Sequence, residues 1–166
     1  FTGLKRLSRN LWWTWNPETV ELFRMIDPIQ WEALNHNPMS LLESLTVKQM
    51  MQLERNEAFI AKLDKVYGEF EAYMKKASEK PKHQIAYFSM EYGLHDTVQI
   101  FSGGLGILAG DYLKQASDSN ANMIGVGLLY RYGYFRQHLS MFGDQVASYN
   151  PQKFTHMPLK PVRNSN

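Results

Sequence analysis

Residues 100–118 read IFSGGLGILAGDYLKQASD, with Gly103, Gly104 and Gly106 inside four positions and Gly110 four further on. Glycine loses more conformational freedom on folding than any other residue, so such a run needs a reason. Either the chain turns tightly here, or its backbone must be approached closely; spacing alone leaves both open. Leu105, Leu108, Ala109, Tyr112, Leu113 and Ala116 recur at i, i+3, i+4, i+7, i+8 and i+11. That period predicts one helix over 105–119, with Leu108, Leu113 and Ala116 buried. Upstream, Ile85–Met90 reads as a strand; downstream, Met123–Tyr130 reads as another, and Tyr134–Leu139 as a further candidate. Strand, glycine loop, helix and a continuously apolar strand form the grammar of a parallel α/β sheet.

The first half is punctuated differently. Asn16-Pro17, Asp27-Pro28 and Asn37-Pro38 each pair a good N-cap with proline at the first helical position. Thr46-Val47-Lys48-Gln49 has the spacing of a capping box. Short helices are therefore predicted to start near Pro17, Pro28, Pro38 and Val47. A longer one follows, with Phe59, Leu63, Val66, Tyr67, Phe70 and Met74 at helical spacing and Asn56 as its cap. Lys80-Pro81-Lys82 marks the change of period, so 1–80 reads as an all-helical unit and 81–166 as an α/β unit. The cluster Trp12, Trp13 and Trp15 is a sugar-stacking candidate, but tryptophans beside a helix start favour the core of a small helical domain.

Composition bounds the rest. The 166 residues are 44% hydrophobic and 20% charged, with a net charge of +2. No clustered basic face points to nucleic acid, and the basic stretch Lys75–Lys82 reads as a solvated connector. With no cysteine there is no disulfide framework or thiolate metal site, which fits a reducing compartment. The five histidines (His36, His83, His95, His138, His156) lack metal-ligand spacing. The N-terminus lacks a signal-peptide core, and the longest apolar run, Met123–Tyr130, is too short to cross a membrane. Beginning with Phe1 and stopping in RNSN, the chain reads as a piece of something longer.

Gly104-x-Gly106-x-x-Ala109 fits a dinucleotide-binding fingerprint, but its context fails. The preceding residues, His95 to Ile100, make a poor strand, and Leu129-Tyr130-Arg131 ends the next strand without a carboxylate. A P-loop fails because no Lys-Ser or Lys-Thr follows the glycines. Glu91 stands just after the first strand, where α/β folds place functional groups, and could equally cap a turn. His95-Asp96 could line a site, although a structural loop role is favoured.

At these residues the sequence resembles a known family. YFSMEYGLHDTVQIFSGGLGILAGDYLKQASD (87–118), GVGLLYRYGYFRQHLS (125–140) and the final LKPVR (159–163) resemble the N-terminal catalytic region of α-glucan (glycogen or maltodextrin) phosphorylases. LKRLSRNLWWTWNPE (4–18) is similar to the helical extension of short bacterial and archaeal members. The resemblance implies two Rossmann-like domains facing a cleft, the GT-B type of glycosyltransferase fold. It also implies pyridoxal phosphate on a lysine expected beyond Asn166, and phosphorolysis of α-1,4-glucan by inorganic phosphate to glucose 1-phosphate. A cytoplasmic homo-oligomer is expected, without nucleic-acid or membrane partners and with no metal. By the same resemblance Gly103 and Gly104 match the glycine pair near the phosphates and the cofactor, and Leu105 the residue whose backbone faces the glucose. Ser102 stands where animal and plant members usually carry Asn, and Gly93 where they carry an aromatic residue. The fragment alone is expected to be inactive. Two rivals are a nucleotide-sugar glucan synthase and a carbohydrate-binding helical module. The first usually has a Lys before its glycines, where this chain has Phe101-Ser102; the second needs exposed tryptophans.

Overall fold

Each Asn-Pro or Asp-Pro pair starts a helix, as its chemistry predicts. In the computed structural model, which describes residues 1–78 and 82–163, α1 spans Thr2–Ser8, followed by a 3₁₀ turn at Leu11–Trp15. Helices α2 (Pro17–Ile26), α3 (Pro28–Ala33), α4 (Pro38–Ser44), α5 (Val47–Glu54) and α6 (Glu57–Ser78) come next. Asn16 accepts from the Thr19 N–H at 2.9 Å, and Asp27 and Asn37 each accept from the N–H groups of the second and third residues of their helices. Thr46 and Gln49 close a full capping box. Asn56 accepts from the Phe59 N–H at 3.1 Å. Because each cap satisfies orphan helix N–H groups, Asn16→Ala should cost about 1 kcal/mol, read as a lower urea midpoint at unchanged m.

These helices enclose an aromatic core. Trp12 and Trp13 are 6% and 2% exposed, and Trp31, Phe23, Phe59, Val66 and Phe70 are buried with them. Trp13 meets Trp31 edge-on at 6.1 Å and Phe23 at 6.0 Å, while Phe23 stacks on Trp31 at 5.9 Å. Trp15 is half-buried against the same cluster. The tryptophans are core, which removes the observation the sugar-stacking module required.

The chain divides into two compact units, Phe1–Ser78 with Phe154–Asn166, and Glu79–Lys153. Lys80-Pro81, where the period changes, and the final Asn164-Ser165-Asn166 lie outside the described residues. The segment from Phe154, read from sequence as part of the α/β half, thus groups with the helices. Polar contacts explain why. Asn37 caps α4 with its oxygen and donates its amide to the His156 carbonyl at 3.0 Å. The His156 ring lies 3.2 Å from the Ser40 hydroxyl, and Met157 is buried.

In the other unit β1 (Ile85–Phe88) pairs in parallel with β2 (Met123–Val126), and α7 (Gly104–Asp118) connects them. Both strands are shorter than the sequence suggests. The Ser89 hydroxyl donates to the Glu91 carbonyl at 2.8 Å and accepts from the Glu91 N–H at 3.3 Å, turning the chain out of the sheet. The third candidate strand becomes β3 (Arg136–Leu139), in an antiparallel hairpin with β4 (Gln145–Ser148) rather than in the parallel sheet. The result is helices with two small two-stranded sheets.

Helix α7 also corrects an expectation. Leu108 is 68% exposed, and Leu113 and Ala116 are half-buried. The buried positions are Gly106, Ala109 and Gly110. The helix packs through its small residues because the backbone at Gly93 runs directly against it. The Gly93 N–H donates to the Gly106 carbonyl at 2.7 Å. A Cβ on Gly110 would stand 2.2 Å from the Gly93 carbonyl oxygen. Gly110→Ala should therefore destabilise the chain by about 1–3 kcal/mol, measured by thermal unfolding, because backbone rather than a side chain must yield.

Candidate functional site

The helix that packs through glycine presents a different face at its start. Gly103 is the N-cap of α7, with an extended backbone, and Gly104 is the first helical residue. Neither has positive φ, and a Cβ on either would meet no heavy atom within 4 Å. Gly106, by contrast, would bring a Cβ to 2.5 Å of the Phe101 Cβ. The glycine run thus serves two purposes. Gly106 and Gly110 allow packing, whereas Gly103 and Gly104 leave open space before a helix N-terminus.

Glu91 faces that N-terminus. Its Oε2 accepts from the Ser102 N–H and its Oε1 from the Ser102 hydroxyl, both at 3.1 Å. The Ser102 N–H is the main reason that its carboxyl sits below the ordinary carboxylate range. Desolvation works against this, while the Ser102 hydroxyl and the N–H groups of Gly103 and Gly106 add to it. The carboxylate sits at the positive end of the helix dipole, where a negative charge is favoured. Ser102 is therefore the partner of Glu91, a role its sequence position did not reveal.

An α-helix leaves its first N–H groups without intrahelical acceptors. Here Glu91 lies close by, and a Cβ on Gly106 would stand 3.0 Å from its Oε2. Among the described residues nothing accepts from the N–H groups of Gly104 and Leu105, the positions that the sequence singled out. The Leu105 side chain is exposed, so the turn offers backbone donors beside an apolar surface. Two adjacent aligned N–H groups suit an anion or a sugar hydroxyl.

A cleft of about 170 Å³ opens beside the same loop, lined by Glu91, Phe101, Ser102 and the tyrosines 130, 132 and 134. Gln152 braces it, donating to the carbonyls of Gln99 at 2.9 Å and Tyr130 at 2.7 Å. No sequence pattern signals this bracing, because its partners lie far apart along the chain. His95 does not join the glycine turn: its Nδ1 accepts from the Thr97 N–H at 3.2 Å and lies 3.1 Å from the Thr97 hydroxyl. It shapes its own loop, and Asp96 is exposed there. Gly93 is a packing residue against α7.

Residues 1–98 match the family described as "Protein of unknown function (DUF3417)". The chain belongs to this family. The family match covers the helical unit, β1 and the turn bearing Glu91, and stops short of the glycine run. Similarity to individual proteins extends further. The chain is 42% identical over 163 residues to a glycogen phosphorylase of Aquifex aeolicus, covering 96% of this chain and 23% of that protein. It is 38% identical over 170 residues to a maltodextrin phosphorylase of Thermococcus litoralis, covering 96% and 20%. It is 37% identical over 176 residues to a glycogen phosphorylase of Mycobacterium tuberculosis, covering 99% and 20%. The chain thus matches the N-terminal portion of proteins with these names and spans 20–23% of their length. No solved structure matches it. No helix among the described residues is long and apolar enough to cross a membrane.

Proposed function

We propose that this DUF3417 family chain is the N-terminal portion of an α-glucan phosphorylase, in which inorganic phosphate attacks a terminal α-1,4-linked glucose and releases glucose 1-phosphate. The supporting observation is the 37–42% identity to proteins named glycogen or maltodextrin phosphorylase over nearly all of this chain. In this reading 81–166 is the first part of a Rossmann-like domain of the GT-B type, and 1–80 is a helical extension. The enzyme works in the cytoplasm as a homo-oligomer.

The glycine turn then has a definite task. The N–H groups of Gly104 and Leu105 donate to phosphate oxygens and to the glucose, and the positive end of α7 favours the anion. With no Cβ on Gly103 or Gly104, crowded phosphates and sugar can reach the backbone. The open space at both glycines and the unmatched donors beside them fit pyridoxal phosphate as a neighbour of the substrate phosphate. When bound, that cofactor supplies a phosphate able to give and take a proton. Donors already aimed at developing charge need no rearrangement during reaction. Phosphate-dependent release of glucose 1-phosphate from maltodextrin by the full-length protein is the expected result. A full-length protein that instead builds glucan from a nucleotide sugar would replace this reading with that of the synthase.

A further inference from the structure

We propose that Glu91 is a positioning residue that presets the Gly103–Leu105 turn for phosphate, a role that rests on the phosphorylase reading. Four N–H groups at the start of α7, those of Gly103 to Gly106, lack intrahelical acceptors. Glu91 lies against the last of these residues: a Cβ on Gly106 would stand 3.0 Å from its Oε2. Its two oxygens also hold Ser102, through the backbone N–H and the hydroxyl, each at 3.1 Å. The donors left over, at Gly104 and Leu105, are adjacent and unmatched among the described residues. The carboxylate thus anchors the residue from which the turn starts, and with it the direction in which these donors point.

The carboxylate is itself held firmly. The Ser89 hydroxyl bonds both the carbonyl and the N–H of Glu91, and two residues later the Gly93 N–H bonds the Gly106 carbonyl at 2.7 Å. One short segment therefore holds Ser102, just before α7, by a side chain and Gly106, in its first turn, by its backbone. Such a grip matters because a Gly-Gly turn left to itself has wide conformational freedom. A turn ordered only when ligand arrives would bind it more weakly, since the ordering would oppose association. Repulsion between carboxylate and phosphate acts in the opposite sense. If repulsion outweighed ordering, neutralising Glu91 would tighten phosphate binding.

The test uses full-length protein with Glu91→Gln, which keeps one acceptor oxygen for the Ser102 N–H and removes the charge and the second acceptor. Inorganic phosphate affinity, read by calorimetry, and kcat/KM for phosphate should each fall about tenfold, the scale of one lost charge-assisted hydrogen bond. The unfolding midpoint should barely move. Glu91→Ala should lose more, and if it fails to fold, Glu91→Gln carries the test. Combined with Gly104→Ala, Glu91→Gln should cost less than the product of the two single losses, because both act on one turn. Phosphate affinity that is unchanged or tighter in Glu91→Gln overturns the proposal, as do fully multiplicative losses. A wild-type protein that binds phosphate but releases no glucose 1-phosphate overturns the phosphorylase reading instead. One that binds no phosphate overturns both.

Discussion

Gly104→Ala in the full-length protein is expected to cut phosphate-dependent release of glucose 1-phosphate by about 10²–10³-fold, the scale for losing a well-aimed donor to developing charge. The fold should survive. Gly104 does not have positive φ, so strain in the turn contributes nothing to the loss. Apart from the adjoining backbone, no heavy atom lies within 4 Å of the added methyl, which would meet whatever approaches the turn. At an unstrained helical position, alanine should even raise stability by about 0.4–1 kcal/mol by restricting the unfolded chain. Opposite signs for activity and stability make the experiment decisive. A Gly104→Ala enzyme with wild-type rates would mean that the turn faces neither phosphate nor glucose. The same substitution at Gly110 should instead lower stability, because its methyl meets the Gly93 carbonyl.

Trp13→Ala should destabilise the 166-residue chain by about 3–5 kcal/mol, a large share of the stability of an ordinary domain. Its indole is buried at 2% exposure and meets Phe23 and Trp31 edge-on, two rings that stack on each other. Deleting it would leave a cavity walled by rigid aromatics, which cannot collapse as readily as a cluster of leucines or methionines. Urea unfolding would measure the loss. Acrylamide should quench the wild-type fluorescence weakly, with most of the accessible signal from half-buried Trp15. Strong quenching, with Trp13→Ala nearly neutral, would mean that the cluster faces solvent and would restore the carbohydrate-binding alternative.

Local chemistry was legible in the sequence and long-range chemistry was not. Asn16, Asp27, Asn37, Thr46 and Asn56 each cap the helix that follows, because a cap oxygen and the N–H groups that donate to it lie within three residues. The β1–α7–β2 unit was legible too, from a change of period. Helix α1 was missed: its buried Leu4 and Leu7 make too short a period to stand out. The hairpin β3–β4 was missed in half, since Gln145–Ser148 carries little apolar pattern. The facing of α7 was misread because the apolar stripe through Leu108 is wider than the glycine face that packs. Which face turns inward depends on the backbone at Gly93, and no helical period encodes that. At the candidate site, Gly103, Gly104 and Leu105 came from motif resemblance. The engagement of Glu91 with Ser102 spans eleven positions and needed coordinates.

The contact of Gly93 with Gly110 has a consequence for how this protein can change. Most core contacts tolerate drift because a larger residue on one side can be matched by a smaller one opposite. Here neither side has anything smaller to become. A Cβ at 110 would lie 2.2 Å from the Gly93 oxygen, and one at 93 would lie 3.0 Å from the Gly106 oxygen. Any enlargement must push two stretches of main chain apart, and Glu91 is only two residues from the point of separation. Growth in bulk at this contact would be felt first as a slackened grip on the glycine turn. Selection on activity would therefore see such a change even in a molecule whose melting temperature had been restored by substitutions elsewhere.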